Sequence, residues 1–273
     1  MLKHRIITAL LLIPLVLFTV FSSNAIYFGL LMAVIVTLAA KEWARLLKCK
    51  KTVYELFALV NAAIIVSLYL YDNAVIYILL SLIAVIFWCL AIAVIIAYQC
   101  GIKLMPKSTW LLLLLGQLLL LSTWGSLYFI KTNFAESTIL ILFLMFLIWS
   151  ADSGAYFIGR AFGKKRLASN VSPGKTWEGT IGGFVAALLM SVVFIKFTSI
   201  GEENILLILF VTFLVVVFSI VGDLFESIMK REANIKDSGR LLPGHGGALD
   251  RIDSLMAASP VCLLAYIYIG MAG

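Results

Sequence analysis

The feature that most constrains this chain is a series of apolar runs long enough to cross a lipid bilayer. A helix needs about 20 apolar residues to span the hydrocarbon core, and a spanning run must be helical because lipid offers the backbone no hydrogen-bond partners. Continuous runs such as residues 205–221 exclude a β-barrel, whose strands alternate in polarity. The residues are 63% hydrophobic and only 13% charged, whereas soluble domains are about a quarter charged. The sequence therefore predicts an all-α, polytopic transmembrane protein.

The apolar runs predict nine membrane spans. They cover residues 6–22, 25–40, 53–71, 74–98, 110–130, 137–158, 178–198, 204–222 and 254–271. The first run is similar to the apolar part of a signal peptide, since Lys3, His4 and Arg5 precede it. A second span follows almost at once and no small-x-small cleavage site separates the two, which favours a retained span.

The basic residues orient these spans. If the N-terminus is cytoplasmic, all of the 21 lysines and arginines except Lys131 and Lys196 fall on the cytoplasmic side, where the excess of basic residues is found in membrane proteins. We therefore predict an N-in, C-out topology. This topology, with attraction to anionic headgroups, explains the net charge of +7 without nucleic acid. The four cysteines show no CxxC spacing, so we expect neither a disulfide framework nor a zinc site.

The two halves of the chain differ in their polar residues. Residues 1–150 are almost pure membrane, and their longest loop, 41–52, is basic without recognisable chemistry, so we interpret this half as a transmembrane scaffold. Residues 151–273 form the predicted catalytic region. This region contains two polar stretches, 151–180 and 222–254. The two spans between them return both stretches to the cytoplasmic face, where they can meet.

The end of the eighth span carries two carboxylates. Asp223 is followed by Glu226, Ser227, Lys230 and Arg231, and these spacings place all five side chains on one helix face. An amphipathic helix end with snorkelling side chains would explain the lysine and the arginine. It explains the carboxylates poorly, because carboxylates near hydrocarbon are costly and usually mark ion or substrate sites.

A second carboxylate pair, Asp250 and Asp253, stands at the entrance to the ninth span. A helix N-terminus explains one aspartate, but it does not explain two with Arg251 between them. The preceding Gly246 and Gly247 would let backbone N–H groups approach a ligand closely, and helix N-termini attract phosphate. The spacing therefore adds an anion-binding element to the carboxylates.

Together these residues indicate a site for phosphate and metal. A glycine cluster alone is often a turn, but basic residues and both carboxylate pairs surround this one. Oxygen ligands without cysteine favour Mg²⁺ over zinc, and a second metal ion is left open. His245 is either a ligand or phosphate donor, or a structural histidine in a turn.

The first polar stretch adds Asp152 near the end of the sixth span, and then Ser172, Lys175, Thr176 and Glu178. Small residues with lysine, serine and threonine suit a phosphate-binding loop. The stretch is not a Walker A sequence, because the pattern G-x-x-x-x-G-K-[ST] requires a first glycine that is missing here.

The polar segments resemble the signature of the phosphatidate cytidylyltransferases, the CDP-diacylglycerol synthases. The matching positions are S-x-x-K-R at 227–231, K-D at 236–237, P-G-H-G-G at 243–247 and D-R-x-D at 250–253. The stretches 151–160 and 172–179 also look like this family. The resemblance is specific across residues 151–254 and only topological before them.

The resemblance implies that CTP and phosphatidate give CDP-diacylglycerol and pyrophosphate, with a divalent metal. The residues suit this reaction, because the nucleophile is a phosphate oxygen that is already anionic, and charge neutralisation matters more than a general base. The implied partners are CTP, phosphatidate and membrane lipids, without nucleic acid, and a homodimer is left open. The short chain without a transit-like leader favours the bacterial inner (plasma) membrane, with the active site facing the cytoplasm, and an organellar or archaeal origin is left open.

The resemblance and the residue chemistry together predict three sets of site residues. The expected metal ligands are Asp223 and Asp250, followed by Asp253 and Glu226. The expected catalytic residues also include Lys230, Arg231, Lys236, Asp237 and Arg251, with Lys230, Arg231 and Arg251 holding the triphosphate or the phosphatidate headgroup. The expected substrate contacts are Asp152, Ser172, Lys175, Thr176, Glu178, Ser227, His245, Gly246 and Gly247.

Two other functions and an inactive scaffold are the alternatives. An ion or solute transporter also uses intramembrane carboxylates, but its site should lie near the bilayer midplane, whereas these polar groups cluster at one face and no inverted repeat is visible. A CTP-dependent membrane lipid kinase of the polyprenol type would share the metal and phosphate groups and would release CDP instead of pyrophosphate. The intact motif disfavours an inactive scaffold.

Overall fold

The computed structural model describes residues 13–198, 205–239 and 246–270, which are predominantly helical. Residues 13–21 are helical, and residues 6–12 of the predicted first span lie outside the described part. Eight further helices follow: α1 Ala25–Leu46, α2 Lys51–Tyr71, α3 Ala74–Gln99, α4 Thr109–Asn133, α5 Ser137–Phe162, α6 Trp177–Thr198, α7 Ile205–Ala233 and α8 Leu249–Tyr268. Each contains most of one predicted span, so the helical architecture is confirmed.

Seven of these helices, α1 to α7, are long and apolar enough to cross a membrane. The prediction of a polytopic membrane protein is therefore confirmed. Helix α8 is not among the seven, and its first turns carry Asp250, Arg251 and Asp253. A ninth span over residues 254–271, and the total of nine spans, remain predictions.

Two helices extend beyond the predicted spans at their polar ends. Helix α1 continues to Leu46, and α7 continues to Ala233. Polar helix ends of this kind are stable because long side chains reach away from the apolar surface and pairs at i and i+4 interact across one turn. The predicted loop 41–52 is therefore wrong over its first half, since residues 41–46 belong to α1.

A small β-hairpin interrupts the helical fold at its polar end, a feature that the all-α prediction did not include. Strand β1 Arg166–Ala168 pairs antiparallel with β2 Ser172–Thr176, and the first residue of β1 lies opposite the last residue of β2. Arg231 Nε of α7 donates to the carbonyl oxygen of Val171 in the turn, at 3.1 Å. The hairpin is therefore attached to the polar end of α7.

Small residues allow α5 to pack closely on α6. A Cβ atom at Gly154 would lie 2.6 Å from Ala186 Cβ, and one at Gly183 would lie 2.6 Å from the carbonyl oxygen of Ala151. Small residues at such interfaces let helix backbones approach in lipid, where association depends on close packing. This packing brings the polar end of α5 beside the start of α6 and the hairpin.

The N-terminal helices pack directly on the C-terminal ones. Phe225 of α7 contacts Trp43 and Trp88, whose ring centroids lie 6.4 and 5.7 Å from that of Phe225. Trp88 Nε1 donates to the carbonyl oxygen of Met256 in α8, at 3.2 Å. The division into a scaffold and a catalytic region stays a prediction, and side chains of the predicted scaffold lie against the helices that carry the carboxylates.

Candidate active site

The two polar stretches of the C-terminal half meet at one end of the helix bundle, as predicted. Lys175 Nζ of β2 lies 2.5 Å from Asp223 Oδ2 of α7. Lys230 Nζ, near the end of α7, lies 2.9 Å from Asp250 Oδ1 in the first turn of α8. Together with the contact of Arg231 to the hairpin turn, these ion pairs join β2, α7 and α8 around one region.

Lys230 is held inside the protein by two carboxylates. Its Nζ donates to Glu226 Oε2 at 2.5 Å and to Asp250 Oδ1 at 2.9 Å. The Lys230 side chain is 13% exposed and that of Glu226 only 4%, so Lys230 does not snorkel into water. Ser227 Oγ donates to Asp223 Oδ1 at 3.4 Å, and these contacts confirm the predicted polar face of α7.

Asp250 accepts hydrogen bonds from three residues. Lys230 donates to Oδ1, and the backbone nitrogens of Ser238 and Gly247 lie 3.0 and 2.8 Å from Oδ2. Burial by itself would raise the pKa of Asp250, but the hydrogen bonds and the Lys230 charge outweigh burial and lower this pKa below its ordinary value. Asp250 is therefore an anion near neutral pH, and it fixes the backbone on both sides of residues 240–245.

Three further carboxylates interact between α7 and α8. Asp253 interacts electrostatically with Asp223 and with Glu226. Glu226 Oε1 is buried and has no hydrogen-bond partner among the described residues. An unsatisfied, buried carboxylate oxygen beside other carboxylates is donor chemistry that suits a hard divalent cation. No three His, Cys, Asp or Glu side chains in the described part are already grouped around one cation position, so the metal ligands remain a prediction.

A cavity of about 270 Å³ opens beside the ion pair of Lys175 and Asp223. Its polar lining includes Asp152, Tyr156, Lys175, Thr176 and Asp223, and its apolar lining includes Val216 and Ile220. Asp152 is repelled by Asp223 and attracted by Lys175. A ligand with an anionic head and an apolar body would match both kinds of surface.

Two residues of the predicted phosphate-binding loop stabilise the start of α6. Thr176 Oγ1 accepts a hydrogen bond from the Gly179 N–H at 3.1 Å, and Thr176 is 5% exposed. The Glu178 carboxylate accepts hydrogen bonds from the backbone N–H groups of Lys164 and Lys165, at 3.1 and 3.2 Å. The Thr176 contact is that of a helix N-cap, whereas Glu178 ties the start of α6 to the segment before β1. These contacts explain both residues without a substrate.

Replacing Thr176 with valine is expected to destabilise the protein by about 1 kcal/mol and to leave turnover nearly unchanged, because the substitution removes a helix cap. Thermal unfolding in detergent measures the first effect and an activity assay the second. Thr176→Ser keeps the hydroxyl and is the matched control. A large loss of turnover in Thr176→Val at unchanged stability would instead support the predicted phosphate contact.

The remaining predicted site residues are Ser172, Lys236, Asp237, His245, Gly246, Gly247 and Arg251. Lys236, Asp237 and Arg251 are exposed, and Arg251 interacts electrostatically with Asp152. Gly246 has a φ of +83°, a left-handed conformation that favours glycine. His245 lies outside the described residues.

Sequence reasoning missed the contact of Glu42 with the segment that carries the signature motif. Glu42 lies on α1, is 4% exposed, and accepts hydrogen bonds from the Leu249 N–H at 2.8 Å and from Ser238 Oγ at 3.2 Å. The available signal was a glutamate between the apolar pairs Ala39-Ala40 and Trp43-Ala44. The adjacent lysine made the position look like the start of a basic loop.

Comparison with known proteins agrees with the motifs. A sequence profile of the cytidylyltransferase family matches residues 3–269. Similar proteins named phosphatidate cytidylyltransferase include one from Haemophilus influenzae, 37% identical over 98% of this chain and 100% of its own length. Another from Pseudomonas aeruginosa is 43% identical over 96% of this chain and 95% of its own length, and one from Bacillus subtilis is 47% identical over 44% of each chain. The chain therefore belongs to the cytidylyltransferase family.

Proposed function

We propose that this chain transfers CMP from CTP to phosphatidate and so produces CDP-diacylglycerol and pyrophosphate. The observation that carries the proposal is similarity over nearly the whole chain to proteins named phosphatidate cytidylyltransferase. We assign the lipid substrate to the cavity, because the charged Lys175 and Asp223 lie there beside apolar helix surface. A lipid with a phosphate headgroup needs both kinds of surface.

The reaction forms one bond and breaks one bond at the α-phosphorus of CTP. An anionic oxygen of phosphatidate attacks, and a new P–O bond forms. The bond to the oxygen that bridges the α- and β-phosphates breaks, and pyrophosphate leaves with that electron pair. The nucleophile is already ionised, so the task of the protein is to align two anionic substrates and to offset their repulsion.

We assign that task first to Lys175 and Lys230. Lys175 lines the cavity, and its side chain is 27% exposed, so it can contact a phosphate as well as Asp223. Lys230 is more enclosed and its two carboxylate partners fix its position. Arg231 and Arg251 are exposed near the same region, where they are available to the triphosphate or the headgroup.

The carboxylates between α7 and α8 would hold Mg²⁺, and the contacts favour Asp223, Asp253 and Glu226 as ligands. Asp250 was predicted as a main ligand, but the backbone N–H groups of Ser238 and Gly247 donate to it. The partners of Asp223 are the side chains of Ser227 and Lys175, which can turn away from a bound ion. The contacts of Asp250 suit it better to orienting Lys230 and the nearby backbone. Bound Mg²⁺ would supply positive charge to the phosphates.

Removal of divalent metal is expected to abolish turnover, because the repulsion between the two phosphate substrates is then not offset. The purified protein in detergent should form CDP-lipid only at background rate in EDTA, and excess Mg²⁺ should restore the original rate. Ca²⁺ at the same concentration is the matched control, since its larger and more flexible coordination should restore less. Undiminished turnover in EDTA would contradict the role of a metal.

We also propose that the cavity faces the cytoplasm from the inner membrane. Lys103 lies at the same end as the cavity, 2.8 Å from Glu232 of α7. Helix α4 begins shortly after Lys103, and Lys131 lies in its last turn, at the far end of that span. The basic residues therefore concentrate at the end with the cavity, which is the cytoplasmic end by the positive-inside rule.

The exposed thiol of Cys100 tests this orientation. Because Cys100 ends α3 on the side of Lys103, a membrane-impermeant maleimide should label it in inverted membrane vesicles and not in intact spheroplasts. A Cys100→Ser variant gives the background from the other cysteines. Preferential labelling from the outside would reverse the proposed topology.

A comparison of acceptors tests the function. With CTP and Mg²⁺, phosphatidate should yield labelled lipid and an equal amount of pyrophosphate, whereas diacylglycerol and polyprenol should yield neither. Phosphorylation of a polyprenol with release of CDP would support the kinase alternative. Solute flux across liposomes without CTP turnover would support the transporter.

A further inference from the structure

The carboxylate of Glu42 contacts the C-terminal signature although it belongs to the N-terminal half. Leu249 N–H and Ser238 Oγ both donate to the same oxygen, Oε2, at 2.8 and 3.2 Å. Glu42 is 4% exposed. Its partners lie 207 and 196 residues further along the chain, in the segment that contains the signature motif.

Glu42 and Asp250 accept hydrogen bonds from the same two stretches of chain, one at Ser238 and one at residues 247–249. Ser238 donates its N–H to Asp250 and its hydroxyl to Glu42. On the other side of residues 240–245, the Gly247 N–H donates to Asp250 and the Leu249 N–H donates to Glu42. The described backbone on either side of residues 240–245 is therefore hydrogen-bonded to Asp250, and on either side a further group of it donates to Glu42.

Two glycines allow this arrangement. A Cβ atom added at Gly247 would collide with the Glu42 carboxylate, and its three nearest atoms all belong to Glu42. A Cβ atom at Gly239 would collide with the same carboxylate. The backbone thus lies directly against Glu42, and a larger residue at either glycine would require the Glu42 carboxylate to move.

We propose that Glu42 is a positioning residue for CMP transfer. It fixes the backbone at Ser238 and Leu249, and this backbone orients Asp250, which in turn holds Lys230 at 2.9 Å. Glu42 acts through these residues and does not touch the substrates. The inference rests on the proposed function and gives the N-terminal half a part in building the active site.

A purely structural role for Glu42 makes a different prediction. Burial of a carboxylate is unfavourable unless hydrogen bonds compensate it, and apolar side chains often replace buried charges without loss of stability. If Glu42 only filled space, substitutions that keep the protein folded would keep its turnover number. If Glu42 positions the site, the turnover number falls in folded protein.

Three variants of the full chain test the proposal: Glu42→Gln, Glu42→Asp and Glu42→Ala. Because both hydrogen bonds fall on one oxygen, the carbonyl oxygen of glutamine can accept both. We expect the turnover number of Glu42→Gln to stay within about tenfold of that of the original protein, since neutral hydrogen bonds are only somewhat weaker than those to a charged acceptor. Aspartate is one methylene too short, and alanine removes the acceptor. For these two we expect a turnover number about 100-fold lower, with little change in KM for CTP, because misplacement of about 1 Å has effects of that size.

Glu55→Ala is the matched control, since Glu55 is an exposed glutamate on α2 that pairs with Lys41. Thermal unfolding in detergent verifies that each variant is folded. If Glu42→Ala does not fold, Glu42→Met fills the same space with an apolar side chain that lacks the acceptor, and it should fold with the same low turnover number. A folded variant without the acceptor that keeps the original turnover number would overturn the proposal.

The comparison of glutamine with alanine separates positioning from direct participation. If Glu42→Gln loses as much turnover as Glu42→Ala, the charge itself acts on the reacting groups, and the positioning role is wrong. If the original protein makes no CDP-lipid, the proposed function fails, and the inference fails with it. Activity in the original protein with unaffected Glu42 variants would overturn the inference alone.

Discussion

Replacing Asp223 with asparagine is expected to lower the turnover number by at least about 100-fold while the protein stays folded, because the substitution removes a charge from the site where substrate charge develops. Asparagine keeps the size of the side chain and can still accept the hydrogen bond of Ser227 Oγ. It removes the negative charge that pairs with Lys175 and interacts with Asp253. The cavity would then lose a proposed metal ligand and keep an unbalanced lysine.

Turnover with CTP and phosphatidate measures this effect, and thermal unfolding in detergent verifies the fold. Asp72→Asn is the matched control, because Asp72 ends α2 away from the cavity and has a φ of +32°, a left-handed conformation that asparagine tolerates. If both variants turn over as fast as the original protein, Asp223 has no role in the reaction.

Replacing Lys230 with methionine is expected to lower the free energy of unfolding by about 3–5 kcal/mol, as removal of one partner from a buried ion pair does. Methionine occupies a similar volume but leaves Glu226 and Asp250 without the cation that they share. The same substitution should abolish turnover, because Asp250 and its attached backbone lose their orientation. Denaturant unfolding in detergent and the activity assay measure the two effects.

A second substitution separates these two effects. Adding Glu226→Gln to Lys230→Met removes one unpaired buried charge, so part of the stability should return while turnover stays absent. Lys103→Met is the matched control, because the ion pair of Lys103 with Glu232 is largely exposed, and exposed pairs contribute little to stability. Equal stability of Lys230→Met and Lys103→Met would show that the buried pair is dispensable.

The membrane architecture was predictable because a bilayer imposes one rule on every span. Any run of sufficient apolar length must form a helix, and α2 to α6 begin and end within a few residues of the predicted spans. The polar face of α7 was predictable for a similar reason, since the spacing of Asp223, Glu226 and Lys230 is set by helix geometry alone.

The contacts that depend on three-dimensional packing were not predictable in this way. The partners of Glu42 lie about 200 residues away in the chain, and local spacing carries no information about such a contact. Thr176 and Glu178 have the composition of a phosphate-binding loop, but their hydrogen bonds go to the start of α6 and the segment before β1. The same polar groups can bind either a ligand or nearby backbone N–H groups, and only the contacts distinguish the two.

The central claim is that CMP, and not a terminal phosphate, moves from CTP to phosphatidate. The most direct measurement gives the purified protein phosphatidate, Mg²⁺ and CTP labelled at the α-phosphate in one reaction and at the γ-phosphate in another. We predict that the α-label enters the lipid phase and that the γ-label leaves as pyrophosphate in equal amount. Transfer of the γ-label into lipid, with the α-label remaining in soluble CDP, would contradict the claim.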